Sequence, residues 1–289
     1  MKIAIATDTN SGISVGESNK LGIYLVNMPV IVNDKVFYEG KKLSHDFIFD
    51  SLKSGIKVTT SQPSVGDISD VWEKIFQDGY DQIVYIPMTS ALSHSCETAK
   101  ILAKNYDNKV VVVDNHRISV TLRNSVIYAK NLSLKGMSSQ YIKEKLESDA
   151  FNSKIYLAVN DLECIQRGGR LASAFITIGK FFSIKPIFSI RGGKIEFCSK
   201  VRGNVENCEY KIVDFVENDL NLFDVNQSNV TIGVAGAGIS ESMKKHWIDL
   251  VKNKFPNSKI YYNDLPVSIA VHSGPLSVGI GFSFEKDNN

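Results

Sequence analysis

Two short stretches concentrate side chains able to hold an anion without a positive charge. They are T-T-S-Q-P-S at residues 59–64 and T-S-A-L-S-H-S at residues 89–95. The first carries Thr59, Thr60, Ser61 and Ser64, the second Thr89, Ser90, Ser93 and Ser95, and neither contains Lys or Arg. Each leads into a helical pattern, so hydroxyls and the free amides of a helix N-terminus would converge. Such a set suits one carboxylate better than a polyphosphate. Each hydrogen bond to an ionised group contributes roughly 1.5–3 kcal/mol, and burying a carboxylate costs several kcal/mol. Two or three donors therefore about break even, and net affinity must come from an apolar tail. A dozen methylenes at about 0.8 kcal/mol each give roughly 10 kcal/mol gross, part of it lost on association. Phe175, Ile176, Ile178, Phe181, Phe182, Ile184 and Ile187 supply material for an apolar tunnel. The competing reading is turn and N-cap chemistry for the hydroxyls and plain core for the tunnel residues.

Other chemistries find less support. Ser93 beside His94, with Asp114 or Asp264 elsewhere, has the residue types of a nucleophilic triad. No G-x-S-x-G elbow presents the serine, however. The histidines His45, His94, His116, His246 and His272 are scattered without H-E-x-x-H spacing, so no metal site is expected. G-A-G at residues 236–238 lacks the third glycine of a dinucleotide fingerprint and reads as a tight turn, and no Walker-type loop is present. No cofactor is expected.

The elements that must position these residues alternate along the first half. Strands are expected at residues 3–7, 24–33, 82–87 and 110–113, with helices at residues 46–52, 63–76, 96–106, 120–132 and 137–151. Pro63 suits the first turn of its helix, and Ile68, Val71, Trp72, Ile75 and Phe76 form its apolar stripe. Repeated strand–loop–helix units favour a parallel sheet with helices on its faces, whose ligands sit at the carboxyl ends of the strands. Both hydroxyl loops, with residues 8–14 and 114–119, are expected at those ends. The second half begins near Lys154 with a strand, and Asp161 caps a short helix ending at Gly168 and Gly169. An apolar helix at 170–182 and a hairpin around R-G-G at 191–193 come next. Helices at 205–220 and 241–255 alternate with strands at 230–235 and 259–262, and Val278, Ile280, Phe282 and Phe284 face one way in a last strand. The expected fold class is α/β, with an N-terminal mostly parallel sheet flanked by helices (residues 1–152) and a C-terminal mixed sheet with helices (residues 153–289).

Composition sets the limits. The chain has 289 residues, 43% hydrophobic and 22% charged, which is globular rather than disordered. Its net charge of +2 argues neither for nor against nucleic acid. Residues 164–204 nevertheless hold eight Lys or Arg against one acid, Glu196. This is either a solvated face or a docking site for an anionic partner. The four cysteines are far apart with no C-x-x-C pair, which points to a reduced, cytoplasmic setting. M-K-I-A-I-A-T-D meets Asp8 too soon for a signal peptide. No apolar run approaches the roughly 20 residues that span a membrane.

Six motifs, in order along nearly the whole chain, resemble the DegV family of bacterial fatty-acid-binding proteins. T-D-T-N-S-G-I-S resembles its opening Asp-Ser-Thr-like turn, T-T-S-Q-P-S its T-S-Q-P-S, and M-T-S-A-L-S-H-S its S-S-x-L-S-G-T. L-E-C-I-Q-R-G-G-R-L-A-S, I-K-P-I-F-S-I-R-G-G-K-I and H-S-G-P-L-S-V-G-I-G-F are similar to three later motifs. The resemblance implies a two-domain, non-enzymatic carrier with a fatty acid between its domains. Thr60 and Ser93 would bind the carboxylate, with Ser61 and His272 close by. It further implies a partner kinase that makes an acyl phosphate, with Arg170 and Arg202 contacting the partner or the phosphate. An acyl-handling enzyme using Ser93 with His94 or His272 as base, and a binder of another small anion, are the alternatives. His94 stands where the family has a small Gly and would crowd the head group. Ser95 and Cys96 replace the usual Thr and aromatic, Leu276 replaces a Gly, and K-V-R-G-N-V-E-N lacks a basic run.

Overall fold

Short apolar strands with hydroxyl- and Asn-rich ends build the first layer. The computed structural model describes residues 1–41, 43–169 and 184–285. Strands β1 (Ile3–Asp8), β2 (Ile23–Val26), β6 (Gln82–Ile86) and β7 (Val110–Val112) form a parallel sheet in the order β2-β1-β6-β7. Helix α3 (Val65–Gln77) packs Ile68, Trp72 and Ile75, all fully buried, into one core cluster with Ile83 and Tyr85 of β6. Burying each such side chain contributes about 1.5–3 kcal/mol. Ser64 starts this helix through a reciprocal capping box with Asp67. Pro63 therefore stands outside the helix rather than in its first turn.

The chain around residues 24–33 is not one strand. It breaks after β2, and β3 (Pro29–Val32) joins β4 (Lys35–Tyr38) and β5 (Val58–Thr60) in a separate three-stranded antiparallel sheet. The first hydroxyl loop thus leaves the end of β5, not a strand of the parallel sheet. The loop after β6 and the loops after β1 and β7 do leave the carboxyl edge of that sheet.

Residues beyond 152 form a six-stranded mixed sheet in the order β10-β9-β8-β13-β11-β12. Its strands are β8 (Ser153–Ala158), β9 (Ile184–Arg191), β10 (Lys194–Arg202), β11 (Val230–Gly236), β12 (Lys259–Asp264) and β13 (Val278–Phe284), and only β11 and β12 run parallel. Gly192 and Gly193 turn the β9–β10 hairpin at φ +58° and +76°, a backbone that favours glycine. Helices α8 (Val205–Leu222) and α9 (Glu241–Lys254) bury Ile212, Val216 and Trp247 against Val278, Ile280 and Phe282. On the opposite side of β13 lies α5 (Ser119–Leu134), which also packs on β1. A Cβ on Gly233 or Gly281 would come within 2.4 Å of Val120. Small residues on β11 and β13 thus let α5 lie between the two large sheets.

Helix α10 (Val267–Ser273) has no counterpart in the sequence reading. The expected helix at 170–182, with Phe175, Ile176, Ile178, Phe181 and Phe182, and the candidate contact residue Arg170, lie outside the described residues. No helix among the described residues is long and apolar enough to cross a membrane.

Candidate ligand-binding site

The two hydroxyl loops meet at one cavity. Thr60 and Ser61 from the end of β5, and Ser93 from the loop after β6, line a space of about 80 Å³. The loop after β1 adds Asn10 and the loop after β7 adds Ile118, while α10 adds Ser268, Ile269, His272 and Ser273. Leu157, Ile190 and Ile195 of the six-stranded sheet and Met28, Met88 and Leu92 provide its apolar wall. Among the described residues that line it, none is Lys, Arg, Asp or Glu. Ligand sites commonly run to roughly 300–1,000 Å³, so this space suits a head group and the first methylenes rather than a whole long chain.

Half of the hydroxyls serve the backbone. Ser64 caps α3 and the Thr89 hydroxyl accepts from the Ala91 amide at 3.2 Å, whereas the Ser95 hydroxyl, fully buried at the start of α4 (Ser95–Ala103), has no hydrogen-bond partner among the described residues. Gln62 and Thr98 of α4 hydrogen-bond at 3.2 Å, tying the first loop to the helix that follows the second. Thr60 Oγ1 lies 2.7 Å from His272 Nε2, across 212 residues of chain. Ser93 Oγ accepts from the Ser95 amide at 3.2 Å, and Ser61 Oγ donates to its neighbour Gln62.

Two carboxylates are buried behind the polar end. Asp8 accepts from the amides of Met88 (2.8 Å) and Asn10 (3.0 Å). Burial outweighs those bonds and pushes its pKa up to about 7, with Glu39 adding like-charge repulsion. Glu39 accepts from the hydroxyls of Thr9 and Ser268, both at 2.8 Å, and burial raises its pKa as well.

Several sequence expectations change here. His94 is exposed, does not line the cavity and so does not crowd a head group. Ile187 is fully buried in the core with Tyr156 and Val205 rather than in the cavity wall. Arg202, expected to meet a partner or phosphate, is exposed at the end of edge strand β10 and does not line the cavity, which leaves that expectation unchanged. Leu276 holds φ +59°, the left-handed backbone that a glycine adopts without strain. Asn10, Ser268, Leu157, Ile190 and Ile195 were not anticipated. Ser268 was readable in hindsight, because it precedes His272 by four residues and shares its helix face.

Alternative chemistries are accounted for in the same geometry. Cys96, Glu97 and Asp114 bring three donor atoms within 4.8 Å of one another. Lys100 already bridges Glu97 (2.8 Å) and Asp114 (3.8 Å), where a metal ion would need them. Burial also pushes the Cys96 thiol up to about 12, away from the thiolate that a metal requires. The G-A-G segment is a turn in which a Cβ on Gly238 would meet the Phe49 ring at 2.8 Å.

Comparison with known proteins gives a consistent picture. The family model described as "Uncharacterised protein, DegV family" matches residues 2–285. A DegV domain-containing protein of Clostridium acetobutylicum is 28% identical, covering 99% of each chain. Among solved structures, a Thermus thermophilus DegV family protein described for its fatty acid binding superposes with a TM-score of 0.87 at 23% identity, covering 98% of this chain and 100% of that one. A stearic acid-binding protein of Eubacterium ventriosum superposes with a TM-score of 0.87 at 20% identity, covering 99% of each chain. At these identities the likeness to the solved structures establishes the fold.

Proposed function

The chain belongs to the DegV family, and we propose that it binds a long-chain fatty acid as a non-enzymatic carrier. One observation carries this reading: Thr60, Ser61 and Ser93 line a single cavity that has an apolar wall and, among the described residues, no Lys, Arg, Asp or Glu in its lining. A carboxylate at the polar end would accept from Thr60 and Ser93, with Ser61 and His272 beside them. The tail would run along Leu157, Ile190 and Ile195. On this reading residues 1–152 and 153–289 are two domains that share the ligand. The fatty acid binding described for the Thermus thermophilus and Eubacterium ventriosum proteins supports the same ligand class.

The carrier would present its ligand to a partner kinase for acyl phosphate formation, with Arg170 and Arg202 meeting the partner or the phosphate. Support comes from the cation-rich stretch of residues 164–204 and the exposed Lys194, Lys200 and Arg202 of β10. An acyl-handling enzyme is less well supported, because the Ser93 hydroxyl is engaged by the Ser95 amide and His94 lies outside the cavity.

Denaturing extraction of the purified protein followed by mass spectrometry tests the reading. Stoichiometric free fatty acid is expected. A covalent acyl mass on the protein would replace the carrier with an acyl-enzyme, and absence of any acyl species, together with no uptake of added fatty acid, would overturn both.

A further inference from the structure

Helix α10 carries His272 to Thr60, yet little in its own sequence explains why it forms or stays in place. It is seven residues long and opens at Pro266 with no side-chain cap. The first amides of any helix lack intrahelical partners and must find acceptors elsewhere. Here the acceptor comes from more than two hundred residues away. Glu39, just beyond β4, accepts from the amide of Ser268 (3.3 Å) and from the Ser268 hydroxyl (2.8 Å). The same carboxylate accepts from the Thr9 hydroxyl at 2.8 Å, and Thr9 accepts from the Met28 amide at 3.0 Å. Asn10 Oδ1 lies 3.1 Å from the Ser268 hydroxyl. Glu39 is only 7% exposed and does not line the cavity, so it cannot be a direct ligand contact.

Ser268 and His272 lie one helical turn apart, so whatever fixes the first turn fixes the imidazole. A shift of the helix by about 1 Å is enough to break a hydrogen bond of ordinary length. We infer that Glu39 is a positioning residue for the ligand head group: it caps α10 from the other half of the chain and thereby holds His272 against Thr60. The inference rests on the fatty-acid reading of this cavity and names a group that reading does not use.

The test compares palmitate with hexadecanol, which has a tail of the same length and a neutral head, on native protein and on Glu39→Gln, Ser268→Ala and Thr60→Ala. The imidazole ¹⁵N signal of His272, assigned by its loss in His272→Ala, is followed without ligand. Glu39→Gln keeps size but places an amide N–H₂ among donors. It is expected to weaken palmitate about tenfold, as for one lost hydrogen bond to a charged group, with hexadecanol nearly unchanged and the His272 signal moved. Ser268→Ala keeps the backbone cap and should move both readouts in the same direction by less. Unchanged palmitate affinity in Thr60→Ala would bring down the fatty-acid reading itself. A weakened Thr60→Ala beside a native-like Glu39→Gln would leave that reading standing and overturn the role of Glu39. Equal loss of both probes in Glu39→Gln, with an unmoved His272 signal, would also overturn it.

Discussion

The two hydroxyl loops have nearly the same composition but different supports. The first hangs from β5, at the side of a small antiparallel sheet, and its Thr60 is met by a histidine from the far end of the chain. The second leaves the carboxyl edge of the parallel sheet, where Asp8 accepts the Met88 amide at its root. In each loop some hydroxyls are used by the backbone, Ser64 as a cap and Thr89 in the turn, and others face the cavity. Composition therefore marks the loops, while the backbone around each hydroxyl decides whether it is available to a ligand.

The strongest way to break the comparison is to remove one cavity hydroxyl from each loop. Thr60→Ala with Ser93→Ala is expected to weaken fatty-acid binding by about a hundredfold or more, since two hydrogen bonds to a charged group are lost. Calorimetric titration of the double and both single variants would show whether the loops share the head group. If one single variant accounts for the whole loss, only one loop holds it.

A smaller effect separates the supports. Burial raises the Asp8 pKa to about 7 in the folded chain, above the usual carboxyl value of about 3.9. The unfolded carboxyl ionises first, so the folded state binds more protons between those values and stability falls as pH rises through that window. Above about pH 7 the contribution is constant. Urea unfolding at intervals from pH 4 to pH 8 should show the decline, and Asp8→Asn should reduce it, leaving the share of Glu39 and Glu209, whose carboxyls burial also raises. A native profile without any fall in that range would remove Asp8 as the strained root of the second loop.

Ser64→Ala tests the other class of hydroxyl. It should cost about 1 kcal/mol of stability through the lost cap while leaving fatty-acid affinity within about twofold. A large affinity loss would place Ser64 with the ligand-facing hydroxyls. The smallest effect is expected from salt. Because no Lys, Arg, Asp or Glu among the described residues lines the cavity, raising salt from about 0.05 to about 0.5 M should change affinity less than about twofold. A steep decline with salt would mean that a cation holds the head group.

Much of the fold was legible because its signals are local. The capping serine and apolar stripe of α3, the Asp161 cap and the glycine pair of the β9–β10 hairpin each depend on neighbours within a few residues. The missed elements depend on distant ones. Strand β5 is only three residues long and exists because β3 pairs with it. Helix α10 lacks a cap of its own and takes one from Glu39.

By itself the sequence determined an α/β chain, two cation-free hydroxyl loops and the family motifs that single out Thr60, Ser61, Ser93 and His272. Those follow from residue type and spacing, which hydrogen bonding and helix and strand periodicity convert directly into local structure. Only the tertiary structure decided that Thr60 and His272 lie 2.7 Å apart, that His94 is exposed and outside the cavity lining and that Glu39 caps the helix bearing His272. The first and last are contacts between segments more than two hundred residues apart, and no local rule encodes them.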